Sequence, residues 1–304
     1  MKSSHHVAVS FSKGQMLLAE VEHGKKISLV ALGERSSSMD FTHATAISAE
    51  HPQLYTFVYE LEELIKQNRV HGKQISFALP TDPVFINIIP VDAALQGNDL
   101  TSYMQWEFEQ YHPDAPLKDF ILTVHPLPWG KGKAKQMFLV SVRRGMIGFL
   151  KKATTELRLQ LHLIDIDHFS TEKSLRFSYP ELAKDNLALL GVRHGRVDGS
   201  LIVRGELVDY RGYPLASPDD LKKHALAYLR YLKEKDGIES PAKIFLYGID
   251  VSSVIASQVQ RETGVETQTL DAVRNLSPSK KLYEQYVKES SRFAPAIGLA
   301  LRTQ

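Results

Sequence analysis

Metal binding is the first chemistry the sequence raises. His162, Asp165, Asp167 and His168 fall within one short stretch, and imidazole with carboxylate is a donor set that suits zinc-like ions. Their spacing argues against a shared ion. In an extended strand side chains alternate, so Asp165 and Asp167 face away from His162 and His168. The expectation is a structural strand end and no metal. His5-His6 has the same weakness and lies in a segment expected to be mobile. Lys131, Lys133 and Lys135 make a basic, glycine-spaced loop. It reads as a solvated hairpin tip, with contact to anionic lipid as the competing reading. Tyr103, Trp106 and Tyr111 stand on one predicted helix beside Glu107 and Glu109. Most of this aromatic surface is expected to be core. The same residues are the partner-binding candidates, because such rings bury much area with few rotors.

Several chemistries are excluded. With no cysteine there is no thiol catalysis, disulfide or cysteine-ligated metal. No Walker A loop, dinucleotide fingerprint, zinc-protease helix or serine-elbow motif occurs. The chain has 304 residues, which suits roughly two domains. A net charge of +2 leaves no nucleic-acid footprint. No apolar run reaches the ~20 residues a membrane helix needs, and the first residues are too polar for a signal peptide. A cytoplasmic address is expected.

The elements that must position these residues follow from apolar periodicity. Strands are expected at 7–11, 15–22 and 27–32, broken by turns at Lys13-Gly14 and His23-Gly24. A helix over 52–68 carries Leu54, Phe57, Leu61 and Leu64 on one face. Strand 75–79, a strand ending near Ile89-Pro90, a helix over 100–111 capped by Asn98 or Asp99, and strands 120–125 and 136–142 come next. Helix 145–159, strand 161–166 and helix 170–177 complete the first half. Strands 186–192, 199–203 and 206–211 then open a second sheet. Helix 217–233 (capped by Ser217), strand 242–247, helix 252–263, strand 265–268 and helix 290–301 follow. Repeated mixed units of this kind argue an α/β (mixed) fold with two related halves.

Four stretches, taken in order, resemble one family. They are Phe77-Ala78-Leu79-Pro80 through Ile88-Ile89-Pro90; Met104-Gln105-Trp106-Glu107 with Glu109-Gln110-Tyr111-His112-Pro113; 138–143 with Leu163-Ile164-Asp165-Ile166-Asp167; and Ala294-Pro295-Ala296-Ile297-Gly298-Leu299-Ala300-Leu301-Arg302. Together they resemble the PilM family, actin-like cytoplasmic proteins of type IV pilus assembly. The resemblance implies a two-lobed actin-like, ribonuclease H-like fold akin to FtsA. One lobe would comprise 1–81, 161–180 and 290–304. An inserted SHS2-like α+β subdomain would span 82–160. The second lobe would span 181–289 and lack most of its upper subdomain.

Actin-like ATPases hold nucleotide with two aspartate-led glycine hairpins and a glycine pair beneath adenosine. In this sequence the motifs look degenerate. Ser10 stands at the first aspartate position and Ser12 at the first glycine position, with Gly14 displaced nearby. Gly191 stands at the second aspartate position and Arg193 at the second glycine position, while Asp198 lies beyond the turn. At the third motif Gly248 is kept and Ile249 follows. Only 212–219 separate the second hairpin from the next helix, leaving no length for the wall of an adenine pocket. Lys13 remains as a residue able to meet a phosphate. The expectation is therefore a pseudo-ATPase with no cofactor, no metal and no catalytic residue. It would be a scaffold at the inner membrane that binds the cytoplasmic N-terminal tail of a PilN-like membrane partner and other pilus assembly proteins. The alternatives are an ATPase with atypical phosphate contacts and a type II secretion actin-like module.

Overall fold

Long apolar runs with turn residues between them build most of the molecule. The computed structural model describes the chain except residues 1–3, 44–46, 129–133, 218–219, 236–238, 250, 280–281 and 303–304. In chain order the first elements are β1 (Ser4–Ser12), β2 (Gln15–His23), β3 (Ile27–Ser36), α1 (Leu54–Gln67), β4 (Gln74–Leu79), β5 (Phe85–Asp92) and α2 (Gly97–Tyr111). Next come β6 (Phe120–Pro126), β7 (Ala134–Arg143), α3 (Arg144–Glu156), β8 (Gln160–Ile166) and α4 (Asp167–Ser178). Then follow β9 (Asn186–Arg193), β10 (Arg196–Val203), β11 (Glu206–Pro214), α5 (Leu221–Glu234), β12 (Lys243–Gly248) and α6 (Ser253–Thr263). The last are β13 (Glu266–Thr269), β14 (Ser277–Pro278), α7 (Glu284–Lys288) and α8 (Ser290–Ala300).

The strands form three sheets, with orders β14-β3-β2-β1-β4-β8, β11-β10-β9-β12-β13 and β5-β7-β6. In the two larger sheets antiparallel hairpins, β1–β2–β3 and β9–β10–β11, adjoin parallel strands, β4 and β12. The halves thus repeat one motif. Each of these sheets is covered on both faces, which explains why strands such as β9 run apolar from Leu187 to Val192 instead of alternating. On the first sheet Val7, Val9 and Phe11 pack under α1 and α3. Ala8, Leu17 and Ala78 face α8. On the second sheet Leu189, Phe245 and Tyr247 face the same inner layer, while Leu190, Val192 and Leu246 pack under α5 and α6. The order of layers is α1/α3, sheet, α4/α8, sheet, α5/α6.

α8 lies in the inner layer because it is apolar all round; Phe293 through Ala300 are all buried. It touches α4, β1, β2, β4 and β12, so it contacts both large sheets. The third sheet packs one face on α2 through Ile89, Val91, Met104, Phe108, Met137 and Leu139. α3 falls within the stretch 82–160, yet its Met146, Phe149 and Leu150 pack with Phe57 of α1. The insert's own core is therefore the small sheet and α2.

Several local expectations needed correction. α4 starts at Asp167, not residue 170, so Asp167 and His168 belong to a helix and strand alternation does not govern them. α2 begins at Gly97, with Gln96 as N-cap and no side-chain cap, and not under Asn98 or Asp99. α5 begins at Leu221 with Asp220, not Ser217, at the N-cap. His5 and His6 sit inside β1, so this segment is held in a sheet. β14 and α7 had no counterpart in the periodicity, being only two and five residues long. By contrast, Ser252 caps α6 by accepting from the Ile255 amide, and Gly264 ends it in the left-handed conformation.

Candidate functional site

Two hairpin turns, one from each large sheet, meet across the cleft between the lobes. The β1–β2 turn is Lys13-Gly14, both at positive φ, and the β9–β10 turn carries Gly195 at positive φ. Lys13 Nζ lies 3.5 Å from His194 Nδ1, so the lysine meets the opposite hairpin. Ser10 is buried with its hydroxyl unpartnered, and Ser12 ends β1 half-buried. Their placement beside the turn follows the β1–β2 register, in which Ser12 pairs with Gln15.

Behind the turns the cleft is filled by Arg193, which is 7% exposed. Its Nη1 lies 2.7 Å from Asp167 Oδ2 and 3.3 Å from Asp82 Oδ2. Its Nη2 donates to Thr81 and to Asp198. One guanidinium thus ties the end of β4, the first turn of α4 and strand β10. Asp198 is the hub on the other side. It accepts from Thr81 Oγ1 at 2.8 Å, from Arg196 Nε at 2.9 Å and from the Tyr210 hydroxyl at 2.6 Å.

Charge balance sets the protonation states. Burial disfavours ionised Asp198, but Arg193 and Arg196 outweigh it and hold the carboxyl below the usual range. Burial pushes Asp167 up to about 7 despite the opposing pull of Arg193, with the charges of Asp198 and Asp82 adding to the rise. For Arg193 burial favours the neutral form, yet the three carboxylates overcome it and raise its pKa, so it remains a cation. His168, wholly buried, is lowered by that burial to about 4. Its Nδ1 sits 2.9 Å from the Tyr247 hydroxyl.

The two glycines of the degenerate motifs have packing reasons. A Cβ on Gly191 would come within 2.4 Å of the Tyr247 ring. The tyrosine therefore fills the space beside the position where a carboxylate was sought. Gly248 has φ +128°, and a Cβ there would lie 2.0 Å from the Val192 carbonyl oxygen. Close approach of β12 to β9 requires glycine at this point. Asp250 lies outside the described residues. β11 ends at Pro214 and α5 starts at Leu221, a link too short to carry a subdomain.

The metal candidates are dispersed among separate bonds. Asp165 accepts from Ser170 at 2.8 Å and pairs with Arg302 at 2.7 Å, Asp167 pairs with Arg193, and His168 meets Tyr247. His162 stacks edge-on against His6. Lys131 and Lys133 lie outside the described residues, while Lys135 donates to the Leu95 carbonyl at 2.5 Å.

A second site lies away from the cleft. It is a groove of about 1010 Å³ between the third sheet, β8 with α4, and the β10–β11 turn. One wall is the face of the small sheet that α2 does not cover, with Ile121, Thr123, Phe138 and Val140. The other is the run from Leu161 to Ile166. Among the described residues β6 and β8 are both sheet edges, so the groove is flanked by strands whose outer backbone groups have no ladder partner there. Glu172 and Arg176 close one end, and Glu172 keeps one buried oxygen unpartnered. Burial raises Glu172 to about 7, with Arg176 opposing.

Tyr103, Trp106 and Tyr111 line no part of this groove. Trp106 and Tyr111 are each 52% exposed, so they are not core; Met104 and Phe108 take that role on α2. Tyr103 donates to Glu107 at 2.5 Å and packs beside Trp106. Sequence reasoning missed the groove residues. The available signal was that Phe138, Val140 and Val142 are apolar on the face of β7 opposite Met137 and Leu139, more than one helix can cover.

Two lobes of repeated topology, a central crossing helix and paired hairpin turns define an actin-like fold. The chain superposes on a chain of a PilM–PilN type IV pilus biogenesis complex with a TM-score of 0.79, covering 98% of each at 18% identity. It also superposes on a Bacteroides thetaiotaomicron protein of actin-like ATPase fold and unknown function (TM-score 0.53, 11% identity, 99% of this chain and 96% of that one). The ethanolamine utilization protein EutJ from Carboxydothermus hydrogenoformans gives a TM-score of 0.52 at 11% identity, covering 99% and 90%. No protein-family model matches the sequence. No curated protein matches it either.

Proposed function

We propose that the chain is a nucleotide-independent scaffold which receives an extended peptide, the cytoplasmic tail of a PilN-like membrane partner, in the groove between the small sheet and β8. The observation that carries this reading is the pair of unpartnered strand edges flanking one apolar groove. An extended segment would add to an edge through main-chain bonds and place alternate side chains in the groove. The fold shared with a chain of a PilM–PilN complex supports the pairing. Among the described residues no helix is long and apolar enough to cross a membrane. Attachment to an inner-membrane machine of type IV pilus or related type would then come through the partner's tail.

The cleft is read as a structural joint. Nucleotide would need phosphate oxygens and a magnesium ion where Arg193 now meets Thr81, Asp167 and Asp198. Displacing that cation would strand buried carboxylates. The test has two arms. Calorimetry with a synthetic peptide of the partner's tail is expected to show one-to-one binding, weakened at least tenfold in Ile121→Asp. Titration with Mg-ATP is expected to show none. Micromolar Mg-ATP binding would return the ATPase alternative, and failure of any such tail to bind would remove the scaffold reading.

A further inference from the structure

At the opposite end of the first sheet from the hairpin turns, three side chains converge that neither the cleft nor the groove uses. Glu20 of β2 is wholly buried, unusual for a carboxylate. β1 and β2 pair Val7 with Glu20. His5, two residues from Val7, is therefore the diagonal neighbour of Glu20 on the same face. Its Nδ1 lies 3.0 Å from Glu20 Oε1. The link between α1 and β4 supplies the third group. The amides of His71 and Gly72 both donate to Glu20 Oε1, at 2.9 and 2.8 Å. This anchors the loop so that His71 Nδ1 stands 3.7 Å from Glu20 Oε2.

The carboxylate is thus satisfied on one side only. Oε1 accepts from the two loop amides and meets His5 Nδ1, which would release any proton it carries to bind a metal, whereas Oε2 is buried with no hydrogen-bond partner. The three ligand atoms lie within 4.8 Å of one another. Ligands held tetrahedrally at zinc's usual 2.0–2.1 Å would be about 3.3 Å apart, so a small contraction of the set, led by His71, would reach that spacing. Its side chain is 65% exposed, and its ring centroid lies 5.5 Å from that of His5.

We propose that His5, Glu20 and His71 form a Zn(II) site, with water completing the tetrahedron. Two neutral imidazoles and one carboxylate suit a borderline ion such as zinc better than calcium or magnesium, which take oxygen ligands. The bound ion would accept the idle Oε2 as a ligand. It would also clamp the start of β1 to the loop entering β4, two adjacent strands of the first sheet.

The test uses the tag-free full chain, stripped with chelator and titrated with zinc chloride by calorimetry at pH 7.5. One equivalent is expected to bind. His71→Ala and His5→Ala should each weaken binding at least tenfold. His6→Gln should leave it unchanged, since His6 is turned away to Ser76 Oγ at 2.7 Å. Zinc should raise the melting temperature of the parent chain and not that of His71→Ala. Absence of binding, binding that survives both Ala substitutions, or equal loss in His6→Gln would overturn the site.

Discussion

At the cleft, Arg193 meets Asp82, Asp167 and Asp198 almost out of reach of water, whereas among the described residues the groove leaves two strand edges and an apolar wall without partners. Both regions lie between bodies of the same fold. In the cleft the polar groups answer one another, so a ligand would have to break existing bonds. In the groove strand edges and apolar side chains face open space. The cleft between the lobes is thus closed by internal charge, and the groove beside the small sheet is where the proposed peptide would dock. Trp106 stands on the opposite side of that sheet from the groove, so the two candidate partner surfaces can be tested separately.

The largest effect is expected at the centre of the cleft. Arg193→Met would leave three carboxylates around an apolar side chain and should cost about 3–5 kcal/mol in urea unfolding. A loss under about 1 kcal/mol would mean the charges are not coupled as their distances indicate. Gly191→Asp restores the carboxylate expected of an actin-like ATPase but collides with the Tyr247 ring. It should destabilise by about 1–3 kcal/mol and confer no Mg-ATP binding; gain of such binding would reverse the view of the cleft.

His168 supplies a pH test. Its pKa falls from 6.5 to about 4 on folding. The unfolded chain therefore takes up the proton first, and this stabilising contribution is present above pH 6.5 and lost as pH falls towards 4. Asp167 and Glu172, raised to about 7, run the other way: their contribution is present below about 4 and lost as pH rises through 7. The stability difference between the parent chain and His168→Gln should accordingly shrink between pH 6.5 and 4. A difference constant over that range would rule out a depressed imidazole.

On the groove side, Ile121→Asp should weaken tail-peptide binding at least tenfold, about 1.4 kcal/mol, with little change in melting temperature. The smallest effect is expected for Trp106→Ala with Tyr111→Ala. Both rings are half exposed, so stability should move by only about 0.5 kcal/mol and peptide affinity not at all. A strong loss of affinity would transfer recognition to α2.

Much of the fold was legible because burial on both faces writes itself as apolar runs. β1, β2, β9 and β12 could be placed that way, and α8 by its apolar surface. Boundaries failed where the side chains that fix them are distant. Asp167 reads as the end of a strand, but its bond to Arg193 and its place in the first turn of a helix draw it into α4. The cleft was half legible. Arg193 and Gly191 could be seen as wrong for a phosphate, but Arg193's bond to Thr81 spans 112 positions in sequence. Trp106 and Tyr111 were misjudged as core because α2 needs only Met104 and Phe108 to cover the small sheet.

The last long helix has a consequence for biosynthesis. Every strand of both large sheets leaves the ribosome before α8, while residues such as Leu17, Leu189 and Phe245 wait for Phe293, Ile297 and Leu299 to cover them. Until then each nascent half carries a bare oily face towards the other, a surface that chaperones bind and that sticks to neighbouring chains. Covering of both inner faces is thereby deferred until α8 has been made.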